Sequence, residues 1–234
     1  MKIDPSYSYY HNLHQEYFND LIDAKKLITE LQRILPIQIE KPFSLPEEAI
    51  MIISNHPILE ENSALNTKGI GSLKGFNYLG NNEVWFPSIR ESLMQYALNI
   101  PLVTIIRPIG YDIATNEIGC LSVQNGNGVV EISNFLNRNK DLSCLIYPEA
   151  GFNKLDHCFR KGFYYIAKMR RYKYLLKLVV DPILGINSRN KIVFQELELI
   201  PDLDDNTYIE KWVDNTREWY KTITYNLYKE FKLI

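Results

Sequence analysis

At 234 residues, 46% apolar and 23% charged, the chain has the make-up of one ordinary globular domain long enough to bury a sizeable core. A formal net charge of −2 leaves no basic footprint for nucleic acid. The three cysteines, Cys120, Cys144 and Cys158, have no paired spacing, and two fall in predicted strands, so buried free thiols in a reducing compartment are expected.

The first predicted element runs from about Leu13 to Leu35, with apolar residues at Leu13, Phe18, Leu21, Ile22, Leu27, Ile28, Leu31 and Leu35 and a stop at Pro36. It reads as a covering helix. A lipid-surface role is the alternative, but its polar side mixes both charge signs instead of being rich in Lys and Arg. His11 and His14 have no accompanying cysteine or acid pattern and read as surface residues, so no metal is expected.

Apolar Ala49 to Ile53 suits a strand buried inside a parallel sheet, although so short a run is also compatible with a helix. It stops at Asn55-His56-Pro57-Ile58-Leu59-Glu60-Glu61. Pro57 fits the first position of a helix, so His56 reads as the residue entering one, at the strand edge where α/β proteins bind ligands. On an uninterrupted helix His56 and Glu61 would be about 140° apart. A turn at His56 instead lets the imidazole fold toward Glu61 or Glu60, leaving one ring nitrogen free to take a proton from an attacking alcohol or amine. The plainer reading is a histidine at a helix start with two acids complementing the helix dipole.

Beyond a Gly-rich connection at Lys68 to Gly75, which has neither dinucleotide nor phosphate-loop spacing, the pattern predicts a helix over Ser88 to Leu98. Strands are predicted at Leu102 to Ile106 and Ile118 to Val123, then a helix over Gly126 to Asn137 with apolar Val129, Val130, Ile132, Phe135 and Leu136. Leu142 to Ile146 is a strand running into Tyr147-Pro148-Glu149-Ala150-Gly151, where a carboxylate can face the His56 pocket and two small residues admit a ligand to the backbone. A helix from Phe163 to Arg171, a strand from Tyr174 to Val180 closed by Asp181-Pro182, a strand from Lys191 to Ile200 and a helix from Thr207 to Phe231 complete the chain. On the last helix Ile209, Trp212, Val213, Thr216, Trp219, Tyr220, Ile223, Leu227 and Phe231 form a broad stripe suited to docking on the sheet, with an apolar groove or partner surface as the alternative.

Strands alternating with helices predict an α/β domain: a central mixed, mostly parallel sheet flanked by helices. We expect a single domain over 1–234, with an N-terminal covering region at 1–44, a motif-bearing core at 45–185 and a C-terminal strand and helix at 186–234. No internal repeat or low-complexity linker is present. The N-terminus, Met1-Lys2-Ile3-Asp4-Pro5, lacks a signal peptide's apolar core, and no run approaches the ~18 apolar residues of a membrane span. The expected location is the cytoplasm, including a peripheral position on the inner face of a membrane.

In their order and separation these pieces resemble the glycerolipid (lysophospholipid) acyltransferase superfamily over roughly residues 45–185. That family carries an Asn-His with an acid after four intervening residues, here Asn55, His56 and Glu61. It has a Phe-Pro-Glu-Gly block, here Tyr147 to Ala150, and a Lys-Gly step opening a helix, here Lys161-Gly162. A hydrophobic strand then ends in Val-Pro or similar, here Val179 to Pro182. The resemblance implies the fold above and His56 as general base, oriented by Glu61. Glu149, with Ala150 and Gly151, would help bind the acceptor. The donor would be an acyl thioester on coenzyme A or acyl carrier protein, used as a co-substrate without a resident cofactor, and the acceptor a lipid or small molecule.

The chain departs from the family pattern at three places. The acid is Glu61 where Asp is commoner, which keeps the chemistry. Phe152 stands near where the Pro-Glu block's arginine would be, and Asn125 takes the place of the arginine of the middle motif. Asn cannot supply arginine's charged fork to a phosphate, which weakens the case for a phosphorylated acceptor of the lysophosphatidate kind; the acceptor expected from the resemblance is lysophospholipid-like, with a nonphosphorylated one favoured by this departure. Arg107 either substitutes for it or makes a strand-end salt bridge. Lys154, Arg160, Lys161, Lys168, Arg170 and Arg171 form a cationic group suited to a coenzyme phosphate, an acidic carrier protein or anionic lipid, or else line solvated helix faces. A noncatalytic acyl- or lipid-binding protein on the same scaffold is the alternative function. A hydrolase is a third, without the Gly-x-Ser-x-Gly turn of its usual form.

Overall fold

A computed structural model describes residues 26, 29–30, 33, 37–55, 58–59, 98, 100–106, 120–122, 128–148, 162–184 and 189–232. Near-continuous apolar runs become the strands that need burial on both faces. These are β2 (Met51–Ser54), β4 (Leu102–Ile106), β6 (Ser143–Ile146) and β7 (Tyr174–Val180). They join β1 (Gln38–Glu40), β5 (Cys120–Ser122) and β9 (Lys191–Leu199) in a seven-stranded sheet of order β1-β9-β7-β2-β6-β4-β5. Five strands, β7 through β5 in that order, run parallel, whereas β9 is antiparallel to β7 and carries β1 parallel to itself. The fold is therefore α/β with a mixed, mostly parallel sheet.

Three helices supply one cover: α1 (Gly128–Arg138), α2 (Gly162–Arg170) and α3 (Asn206–Glu230). Ile132 and Leu136 of α1, Phe163, Ile166 and Ala167 of α2, and Ile209, Trp212, Val213 and Tyr220 of α3 close on Met51, Ile53, Ile105, Cys144, Ile146 and Leu175. Each fully buried Ile, Leu or Phe contributes roughly 1.5–3 kcal/mol. On the opposite face Ile52, Leu145, Leu176 and Leu178 are equally out of water. The stripe on α3 thus serves core docking. Of the predicted N-terminal helix, Lys26, Thr29, Glu30 and Arg33 are helical, as is Leu98 at the end of the predicted Ser88 helix; the rest of both stretches lies outside the described residues.

A bulge explains how β9 carries charges into the helix layer. The β7–β9 register shifts between Lys177 and Leu178, so Phe194 opposes Leu178 while Glu196 opposes Lys177. Phe194 therefore turns to the face where Phe43 packs on it, with ring centroids 6.1 Å apart. Glu196 and Glu198 turn to the other face. There they meet the Lys177 ammonium at 3.0 and 2.7 Å, and Trp212 Nε1 donates to Glu198 at 2.9 Å. Lys177, 4% exposed, is tolerable inside because both carboxylates and the Trp219 ring surround its charge.

Among the described residues no helix is long and apolar enough to cross a membrane.

Candidate active site

Register decides which chain segments leave the sheet together. β2 lies between β6 and β7, parallel to both, with Ile53 opposite Ile146 on one side and Ser54 opposite Leu178 on the other. All three strands therefore release their chains at one edge, the edge where open α/β sheets place ligands. His56 and Glu149 each come three residues after the Ile53–Ile146 pair in sequence. The strands expected to bring them together are direct hydrogen-bonded neighbours, about 4.8 Å apart as strands are.

All eight proposed site residues, His56, Glu61, Arg107, Asn125, Glu149, Ala150, Gly151 and Lys161, lie outside the described residues. What the structure fixes is their points of attachment. His56 comes directly after buried Asn55, Arg107 after β4, Glu149 after buried Pro148, and Lys161 precedes Gly162, the first residue of α2. α1 and α2 finish at the far edge, where Asn137 donates to Met169 O at 3.2 Å and Tyr172 to Leu142 O at 3.0 Å. Their first turns consequently start toward the edge where β2 and β6 end.

The helix expected from His56 gives way to a strand. Ile58–Leu59 forms the short β3, paired in parallel with β8 (Ile183–Leu184) in a separate two-stranded sheet. A neighbouring strand with free ladder positions outweighs the weak helix signal of Pro57, since tertiary pairing overrides local propensity. The β2–β7 pair is thus resumed as β3–β8 after a break, and both chains cross that break at an X-Pro step: His56-Pro57 in one, Asp181-Pro182 in the other. Proline has no N–H to give a ladder, which is why the two strands part here. Four residues separate Ser54 from Ile58 but five separate Leu178 from Ile183, so the register slips by one across the gap.

Side chains stitch the broken ladder. Asn55, 1% exposed, donates from Nδ2 to Val180 O at 2.7 Å and accepts from Val180 N at 2.8 Å, copying the paired bonds that the backbone no longer makes. Asp181, 2% exposed, accepts from Lys191 N at 2.8 Å and takes a bidentate grip from Arg189, with Nη2 at 2.6 Å and Nε at 3.0 Å. Arg189 also reaches Glu230 at 2.8 Å, tying in the end of α3, and the Asp181 carboxylate pushes its already high pKa further up. From the helix side Tyr220 Oη donates to Ser54 O at a long 3.4 Å.

Asp181, Arg189 and Tyr220 did not register as site-edge residues in the sequence. The one available signal was the repetition of an apolar run ending in X-Pro at Pro57 and again at Pro182. The cationic group divides instead of converging. Lys168 and Arg171 pair with Asp204 at 3.7 and 3.6 Å, and Arg170 donates to Lys140 O, all by the edge where the parallel strands begin. Lys154, Arg160 and Lys161 lie outside the described residues. Cys144 is a buried free thiol in that same region, pushed up to about 12 by burial, with a hydrogen bond to Tyr172 and the Arg170 charge partly opposing. A thiol so held is a poor nucleophile. Among the described residues no three potential metal ligands gather.

No family model matches the chain, and no curated protein matches it. Among solved structures, the chain is similar to the crystal structure of the 1-acyl-sn-glycerophosphate (LPA) acyltransferase PlsC from Thermotoga maritima. Identity is 13% and the TM-score 0.43, over 85% of this chain and 81% of that one.

Proposed function

We propose that the protein is an acyltransferase that moves a fatty acyl group from an acyl-CoA or acyl-carrier-protein thioester to a hydroxyl or amine acceptor. The observation that carries this reading is the parallel, in-register pairing of β2 with β6, which releases Asn55-His56 and Pro148-Glu149 from one sheet edge. The motif order that resembles the glycerolipid acyltransferases supports it. His56, oriented by Glu61, takes the acceptor's proton as its oxygen or nitrogen attacks the thioester carbonyl. Collapse of the tetrahedral intermediate breaks the carbon–sulfur bond, and the thiolate leaves with the proton returned by the imidazolium. Glu149, Ala150 and Gly151 bind the acceptor, while Asn125 and Arg107 flank it and Lys161 meets the donor's phosphates or an acidic carrier. With Asn125 in place of an arginine, a nonphosphorylated acceptor is taken alongside or in place of a lysophospholipid-like one.

The test is incubation with labelled acyl-CoA and acyl carrier protein across a panel of alcohol, amine and lysophospholipid acceptors. Transfer is expected, and His56→Ala should lower it by a factor on the order of 10²–10⁴ with an unchanged melting temperature. Near-normal turnover in that variant rejects His56 as base. Thioester binding with no transfer to any acceptor favours the noncatalytic scaffold, which the departures at Asn125 and at Ala150-Gly151 already motivate.

A further inference from the structure

The geometry points to Asn55 as the positioning residue of this site, an assignment that rests on the reading of His56 as base. Two adjacent parallel strands break at the same level, and a break of that kind leaves backbone donors and acceptors without a ladder on either side. One side chain closes it. The Asn55 amide makes both bonds to Val180 while itself 1% exposed, so the Cα that bears it is pinned to β7 from the side. His56 is the next residue along the chain.

On the other strand of the break, Val180 is succeeded by Asp181, locked by Arg189 and by Lys191 N, so the partner that Asn55 grips is itself immobilised. Ser54 Oγ bonds Asn55 O at 3.0 Å and Tyr220 Oη approaches Ser54 O, adding restraint from the preceding residue and from α3. Asn suits the task because it offers a donor and an acceptor in one plane. Leu would leave Val180 N and O buried and unpaired, and an ionised Asp would set a charge against the Val180 carbonyl. The chain is thereby held at Asn55, the residue that precedes His56.

The experiment compares Asn55→Ala and Asn55→Asp with a control at the opposite edge. The control is Ser143→Ala, which removes the Oγ that accepts from Ile50 N at 3.0 Å. Three quantities are read: amide exchange at Val180, the NMR titration of the His56 ring (assigned by its loss in His56→Ala), and kcat against KM for acyl-CoA. In Asn55→Ala the Val180 amide should lose protection and the His56 titration should move. The kcat should fall on the order of 10²-fold with KM unchanged, as a misplaced reacting group costs. Asn55→Asp should recover relative to wild type as pH is lowered, because a protonated carboxyl can again both donate to Val180 O and accept from Val180 N. Ser143→Ala should leave the titration and kcat unmoved. An unchanged His56 titration and unchanged kcat in Asn55→Ala, with Val180 deprotected, overturns the assignment. If the wild-type protein transfers no acyl group, the transferase reading is what fails, and the His56 titration still decides the positioning. Should Asn55→Ala not fold, the pH course of Asn55→Asp decides alone.

Discussion

The two edges of the sheet are built from similar parts to different ends. Where β2, β6 and β7 begin, side chains cap a ladder that is otherwise complete: Ser143 Oγ accepts from Ile50 N, Tyr172 donates to Leu142 O, and cations at the end of α2 face Asp204. Where β2 and β7 end, the backbone ladder between them stops, the Asn55 side chain takes over the pairing with Val180, and the Asp181 carboxylate accepts from Lys191 N on the β9 side. The first edge closes the molecule. The second replaces backbone pairing with side-chain bonds at Asn55, the kind of fixed support that a site needs if reacting groups are to be held in place.

Breaking the second edge should therefore cost most. Arg189→Ala leaves the Asp181 carboxylate buried with, among the described residues, the Lys191 amide to bond; removing one member of a buried pair costs roughly 3–5 kcal/mol, and because Arg189 is 41% exposed the loss belongs at or below the low end of that range. Urea denaturation should show it as a lower midpoint with an unchanged slope. A loss below about 0.5 kcal/mol, the level of an ordinary surface change, would mean that the Asp181 clamp does not hold the break.

The same contrast marks how far the sequence could be read. The strands at Leu102–Ile106 and Tyr174–Val180 and the helices α1, α2 and α3 come out within a residue or two, because apolar runs and 3.6-residue stripes bounded by Pro or polar residues carry their own limits. The strands β1, β3 and β8 have two or three residues each, too few for any period to show. They exist only because partners distant in sequence offer a ladder. The bulge left a trace that is easily passed over: Ile192 and Phe194 share one parity and Leu197 and Leu199 the other, and the pairing with β7 shows that one residue is skipped between them. Of the candidate site, the order of elements suggests that the strands before His56 and Glu149 approach each other, while their direct pairing and register come only from the structure. The Asp181–Arg189–Glu230 chain is not legible in the sequence, since eight and 41 residues separate Arg189 from its two partners and no local pattern links them.

A smaller loss is expected at the first edge. Ser143→Ala deprives Ile50 N of a buried acceptor and should cost about 1–3 kcal/mol, toward the lower figure because Ser143 O–H loses nothing else that the strand needs. Its diagnostic value lies in what it spares. If the edges are as different as their bonding, this variant loses stability with full activity, while Asn55→Ala loses activity beyond what its stability change explains. Equal kinetic damage from both would make the distinction one of stability alone.

The mildest effect at neutral pH, none at all, belongs to Cys144. Burial raises its thiol from 9.0 to about 12, so an unfolded chain ionises this group from pH 9 while the folded one holds its proton. The unfolded state then binds fewer protons, and stability must fall as pH rises. The contribution is complete below pH 9 and is lost progressively between pH 9 and about 12. Tyr172, also raised by burial and by its contact with Cys144, acts with the same sign. Urea titrations at pH 8, 9, 10 and 11 should show a downward trend that is shallower in Cys144→Ala, where the thiol's share is gone. A thiol reagent should label Cys144 at neutral pH only as fast as the protein unfolds. Parallel pH trends in the two proteins would place the alkaline sensitivity elsewhere, and rapid labelling of the native chain would show that the first edge opens where its bonding says that it stays shut.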